Sequence, residues 1–351
     1  MNDSQIDKLA QAVLYEGFIL YPYRPSVKNA HRWTFGGLYP REFCEAQQSV
    51  ESPFMQLECL IVGDAETRVE ITIRFLRLID RKIGRFQKPL SEWPENGEPA
   101  FEPVDCLAVD DRQFHSWQEA AEHKWSLGTF ALSDLLRASR RESLSFPDTR
   151  HCEPIADPAG RFVGLIERTQ HAIDGSAEIT CQQVAEGCFR LTLRAANETS
   201  SPSATSIDRN EASLRSFAAA HAVVAVAGGE LVSQIDPPEP WRELAAENQN
   251  VGLWPVLVGE PPDRTTLLAS PIILYDFPQI APESPMGLFD STEIDEILTL
   301  RIMTLSEAEK CQMRAVDPRG RDLLERVESL GAEDLLQLHG ATRDVAQPRN
   351  S

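Results

Sequence analysis

Histidine and cysteine have the widest chemical reach of the side chains in this sequence, and their spacing decides what that reach is worth. A metal centre shows itself as tight ligand pairs such as Cys-x-x-Cys or His-Glu-x-x-His, because the ligands must converge on one ion. The seven cysteines, Cys44, Cys59, Cys106, Cys152, Cys181, Cys188 and Cys311, contain no such pair. Cys181 and Cys188 flank an expected turn, and His151 beside Cys152 is adjacency in sequence alone. No metal site and no cofactor is expected from these motifs. The sequence also has no Gly-x-Ser-x-Gly elbow, no Walker loop and no Gly-x-Gly-x-x-Gly turn. Acyl-transfer, nucleotide-phosphate and dinucleotide chemistry therefore lack their usual anchors, and no catalytic residue is assigned. The alternative left open by the residues is an enzyme or metallochaperone whose site is assembled from sequence-distant groups. Its candidate ligands are His31, His115, His123, His151 or His221 with a cysteine, since such groups need only meet in space.

A second constellation carries recognition chemistry. Tyr21, Tyr23, Arg24, Lys28, His31, Arg32, Trp33, Tyr39 and Arg41 crowd one stretch, and residues 17 to 41 hold four Lys or Arg and no acid in a chain of net charge −20. Arginine pairs with carboxylates, and arginine with aromatic rings dominates interface hot spots, so these nine residues are the candidate partner-binding set. The competing reading packs the tyrosines and the tryptophan of this stretch into the core and pairs Arg24 and Arg32 with the chain's own carboxylates.

Composition bounds what those residues can serve. At 351 residues, with 42% hydrophobic and 25% charged side chains, the chain is long enough for more than one unit and has ordinary globular composition. The acidic balance repels phosphate backbones and anionic headgroups, which argues against nucleic acid and membrane partners. The first residues lack the basic start and apolar run of a secretory signal, and no apolar stretch reaches the length of a membrane helix. With an odd, scattered cysteine count, a cytoplasmic location with reduced thiols is expected.

The elements that must position these residues are mainly strands. A short helix is expected over Gln5 to Gly17. Val69, Ile71, Ile73 and Phe75 alternate with polar residues as a half-buried strand, and Leu57 to Val62 is expected to pair with it as a hairpin through the turn at Gly63. Ser116 followed by Glu119 has the form of a capping box, so a helix is expected over Ser116 to Lys124, with more helix over Leu132 to Arg141. Further strands are expected over Phe162 to Ile166, Ile179 to Gln183 and Phe189 to Ala195. A second hairpin, Ala218 to Val226 with Glu230 to Ile235, is expected to turn at Gly228-Gly229. The proline-rich run from Trp254 to Pro285 is expected at sheet edges, because proline cannot donate to a ladder. Asp290 with Glu293, Ser306 with Glu309 and Asp317 before Pro318 announce three or four short helices. The fold class is therefore α+β, mainly antiparallel β with a helical C-terminal segment. It divides into a β-rich unit over 1–150 with short helices, a second over 151–285 that can share its sheets, and a helical segment over 286–351.

The segments Tyr15 to Arg24, His31 to Pro40, Trp254 to Gly259, Ser270 to Asp276, Ala281 to Pro285 and Asp290 to Leu300 resemble a family of accessory proteins encoded beside high-affinity uptake NiFe hydrogenases. That family has no established activity, so the resemblance implies a pathway and a class of partner without supplying site residues. It implies a non-catalytic accessory or assembly protein that binds a hydrogenase subunit or maturation factor, with Tyr21 to Arg41 in the contact. Electron carriage is disfavoured, since no four-cysteine cluster motif is present. Residues 283 to 309 hold seven acidic groups against one Arg. The two ends are therefore expected to meet, with Arg24, Lys28 or Arg32 near Glu283, Asp290 or Glu293, and with Trp33, Phe35, Ile273 and Tyr275 packed together.

Overall fold

The computed structural model describes residues 3–15, 36–47, 51–94, 99–200, 208–278, 302–307, 310, 314 and 318–329. Along the chain these form α1 (Asp3–Tyr15), β1 (Gly37–Leu38), α2 (Arg41–Gln47), β2 (Phe54–Val62), β3 (Arg68–Leu90), β4 (Glu102–Val104), β5 (Cys106–Val109), β6 (Arg112–His115) and β7 (Trp117–Ala131). There follow α3 (Leu132–Arg137), β8 (Arg140–Phe146), β9 (Thr149–Ala156), β10 (Phe162–Gln170), β11 (Ile173–Ala185), β12 (Cys188–Asn197) and α4 (Arg209–Ser213). The last are β13 (Phe217–Ala227), β14 (Glu230–Leu231), α5 (Arg242–Ala246), β15 (Trp254–Leu257), β16 (Thr266–Ser270) and α6 (Pro318–Ser329). Among the described residues no helix is long and apolar enough to cross a membrane.

Antiparallel strands dominate, as expected. A nine-stranded sheet runs β15-β16-β13-β3-β10-β9, with β1 added to β13 and both β4 and β7 to β3; a five-stranded sheet runs β14-β2-β12-β11-β8. Both sheets draw strands from either side of residue 150, so the two β-rich stretches share them. Their inner faces pack together as a sandwich. Leu57 and Ile61 of β2 and Leu191 and Leu193 of β12 meet Val69, Ile71, Ile73 and Phe75 of β3 and Val224 of β13 in one buried cluster.

Both expected hairpins are overturned, for one shared reason. β2 pairs with β12 and β14, whereas β3 pairs with β13, β7 and β10, so the turn after Val62 carries the chain from one sheet to the other. The turn at Gly228-Gly229 likewise takes the chain from β13 to β14 in the opposite sheet. Thr67 fastens the two corners: its hydroxyl donates to Gly228 O at 2.9 Å and accepts from Asp64 N at 3.0 Å. A Cβ on Gly229 would lie 2.8 Å from Thr67 Cγ2, so the corners approach too closely for a side chain there.

The helix expected over Ser116 to Lys124 is instead strand β7, paired residue by residue with β3 from Arg81↔Trp117 to Arg68↔Ala131. The Ser116 hydroxyl donates to Val104 O at 2.7 Å and accepts from Ile83 N at 3.0 Å, so it bridges strands and caps nothing. Helix α3 ends at Arg137, and Arg140 and Arg141 belong to β8. Of the helical segment expected over residues 286–351, the described residues support α6 alone, with Leu324 and Val327 buried. Helix α1 forms close to its expected place. It seats Leu9, Ala10 and Val13 against Val256, Val258, Leu268 and Leu274, and Leu14 against Leu76 and Leu78, on the outer face of the nine-stranded sheet.

Strand β3 is the spine of the molecule. Its first half lies in the sandwich beside β13, and from Asp80 onward it pairs with β10 and β4. There Ile83, Val109, Ile155 and Ile166 form a second, smaller core. Between the two cores the inward positions are Arg77 and Arg81, both buried.

Candidate functional site

Seven of the nine expected partner-binding residues, Tyr21, Tyr23, Arg24, Lys28, His31, Arg32 and Trp33, lie outside the described residues. Tyr39 is a correction. It is 3% exposed, stacks on Phe43 at 5.8 Å between ring centroids and lies under the Arg209 guanidinium at 5.5 Å, so its ring serves internal packing. Burial pushes its phenol above the ordinary range. Arg41 begins α2 and is exposed. The expected pairing of Arg24, Lys28 or Arg32 with Glu283, Asp290 or Glu293 also falls outside the described residues. The two regions do meet at one point. A Cβ built on Gly36 would come within 2.4 Å of Pro271 Cβ, so these residues are in contact.

Among the described residues no group of three or more His, Cys, Asp or Glu could hold a metal ion, and one histidine–cysteine pair meets. His115 and Cys106 face each other across the β5–β6 pair, with Nε2 and Sγ 4.0 Å apart. Burial lowers the imidazole pKa and raises the thiol pKa, and both shifts oppose the thiolate–imidazolium pair that nucleophilic catalysis requires. Cys59 and Cys181 lie in or against the sandwich core as free thiols, pushed by burial up to about 12 and about 11. His221 is fully buried, its Nδ1 3.1 Å from Ala219 O, and burial brings it down to about 4, so it is neutral near pH 7.

What the structure assembles instead is an apolar ridge at one end of the large sheet. β15 is the last strand of that sheet, and residues 272 to 278 run along its free side in the same direction. The anchoring is dense. Leu257 N donates to Asp276 Oδ1 at 2.8 Å, Phe277 N to Leu257 O at 2.7 Å, and the Trp254 indole to Leu274 O at 2.9 Å. The Ser233 hydroxyl donates to the other Asp276 oxygen, and the same Ser233 oxygen accepts from Asp236 N at 2.8 Å. Phe277 is held at φ 57°, a conformation that a bulky residue adopts only when its surroundings impose it.

This anchoring dictates what faces water. Leu274 points inward at 8% exposure, so its neighbours Ile273 and Tyr275 point outward at 75% and 83%, and Trp254 beside them is 41% exposed. Trp33 and Phe35, the expected packing partners of Ile273 and Tyr275, lie outside the described residues. Single exposed apolar residues are ordinary; here two large ones stand on one hydrogen-bonded segment and a third, Trp254, on the strand beside it, a grouping that is not. The sequence places this stretch at a sheet edge, where β15 lies, but the unbroken apolar run Ile272-Ile273-Leu274-Tyr275 carries no period that tells which side chains face water. The one available signal was Asp276, a carboxylate directly after an apolar run. Comparison with known protein families and with curated proteins finds no match for the chain.

Proposed function

We propose that the chain is a non-catalytic accessory protein of a NiFe uptake hydrogenase, acting by binding a hydrogenase subunit or maturation factor through the ridge of Trp254, Ile273 and Tyr275. The observation that carries the reading is the anchored display of Ile273 and Tyr275. A rigid segment loses little conformational entropy on docking, and Trp and Tyr are the residues most often found at interface hot spots. The ridge also lies in the stretches Trp254 to Gly259 and Ser270 to Asp276 that resemble the hydrogenase-associated family.

A tagged full-length chain, recovered gently from cells expressing the hydrogenase, is expected to bring down a hydrogenase subunit or maturation factor. The double substitution Ile273→Asp with Tyr275→Asp is expected to abolish that recovery while leaving the circular dichroism spectrum unchanged, since both side chains are exposed. Recovery of no hydrogenase component with the wild-type chain, or equal recovery with the variant, would overturn the reading.

A further inference from the structure

Helix α1 does not cover the outer face of the large sheet evenly. Between the helix and the first half of β3 runs a cleft of about 550 Å³, within the size range of small-molecule sites. Along its floor lie the outward residues of β3, Arg68, Glu70, Thr72 and Arg74, which alternate with the core residues Val69, Ile71 and Ile73. The register sets their neighbours. Arg68 is flanked by Ala227 and Ala131, and Glu70 by Ala225 and Thr129. These short flanking side chains leave the two charged ones standing clear, while Ile6 and Ala10 of α1 and Val223 of β13 supply an apolar wall.

The charges along the floor divide into two groups. Beneath the helix they are satisfied. Asp7 accepts from Arg74 Nη1 at 3.1 Å and from Lys124 Nζ at 2.9 Å, and Arg74 also pairs with Glu122. Toward the open end, neither Arg68 nor Glu70 has an ion-pair or side-chain hydrogen-bond partner among the described residues, and they do not pair with each other. They stand on one face of one strand, two residues and roughly 7 Å apart. A cation and a carboxylate side by side, both uncommitted, match a ligand that carries both charges. A simple anion would neutralise Arg68 and be repelled by Glu70.

We propose that this cleft binds a zwitterionic amino acid with an apolar side chain. The Arg68 guanidinium takes the carboxylate, whose planar geometry it matches, and Glu70 accepts from the ammonium group. The ligand's side chain lies toward Ile6, Ala10 and Val223. This site is separate from the ridge and does not depend on the hydrogenase reading.

Titration of the full-length protein with L-leucine, followed by saturation-transfer NMR and calorimetry, tests the assignment. Leucine is expected to bind at millimolar or lower concentration. Isocaproate, which lacks the ammonium, and isopentylamine, which lacks the carboxylate, are each expected to bind at least about tenfold more weakly, because one charged group is left unmet. Arg68→Ala and Glu70→Gln, both at exposed positions and checked for folding by circular dichroism, are expected to weaken leucine by a similar factor. The assignment is overturned if leucine fails to bind at millimolar concentration, if either analogue binds as well as leucine, or if both variants bind leucine as the wild type does.

Discussion

The two halves of β3 belong to one strand with one alternating pattern, yet they bury different chemistry. From Val69 to Phe75 the inward residues are Val, Ile, Ile and Phe, facing the five-stranded sheet in one apolar cluster. Beyond Phe75 the strand exchanges β13 for β10 as its neighbour, and Arg77 and Arg81 take inward positions. Arg77 donates through Nη2 to Pro147 O and to His171 O, each at 2.7 Å, and lies over the Phe146 ring at 5.1 Å. Pro147 is in the link from β8 to β9 and His171 in the link from β10 to β11, so one guanidinium pins two places where the chain changes sheet. Arg81 reaches Glu119 at 3.1 Å, Glu119 also accepts from Arg168 at 2.8 Å, and Arg168 continues to Glu153 at 2.9 Å. Alternation decides which residues point inward. What lies opposite decides whether the burial is apolar or needs carbonyl and carboxylate acceptors.

The contrast can be broken by substitution and by acid. Phe75 is fully buried, its ring 4.8 Å from that of Phe217, so Phe75→Ala is expected to cost about 3–5 kcal/mol in urea unfolding through the cavity it leaves. A loss under about 1 kcal/mol would mean that the sandwich half is not the tightly packed one.

The second test concerns His221, which lies opposite Arg74 on the outer face of the same half and is buried by remaining neutral, where Arg77 is buried by finding acceptors. Its pKa falls from the ordinary 6.5 to about 4, chiefly through desolvation, with Arg74 adding to the fall and Ala219 O opposing it. A depressed imidazole pKa means that the unfolded chain takes up the proton first. Stability is therefore retained above about pH 6.5, declines as pH falls from there toward about 4, and loses no more to this group below that. The full loss is on the order of 3 kcal/mol, and His221→Gln should flatten that part of the stability–pH curve. An unchanged curve in the variant would remove His221 from the account.

The smallest effect belongs to the polar half. Arg77→Ala takes the donor from two partly buried carbonyls and is expected to cost about 1–3 kcal/mol. Arg77→Met, which restores bulk without donors, should recover less than half of that loss. Full recovery would show that Arg77 fills space and that its carbonyl contacts matter little.

Strands with clean alternation were legible, and the reason is local. Phe189, Leu191 and Leu193 of β12 face one side whatever pairs with them. Pairing was not legible, because period two names a face and never a sheet, and both expected hairpins turned out to be corners between sheets. The capping pattern at Ser116 and Glu119 was a true local signal overruled by the long ladder to β3, in which Glu119 is needed opposite Ile79 to meet Arg81. Of the expected site, only Tyr39 and Arg41 lie among the described residues. The ridge was hidden because a single carboxylate, Asp276, fixes which of its neighbours face out, and that depends on Leu257 and Ser233, both distant in sequence.

The central position of β3 also bears on how the chain is made. On one side its partner β7 follows soon after, but the strand that closes its other side through the sandwich half, β13, comes only with residues 217–227. During synthesis β3 therefore emerges with one hydrogen-bonding edge complete and the other open, and Val69, Ile71 and Ile73 wait uncovered for the second sheet. Non-local closure of this kind slows folding and leaves a template for pairing with other nascent chains. Ribosome-bound fragments that stop before Phe217 should accordingly be the form of this protein that most requires a chaperone.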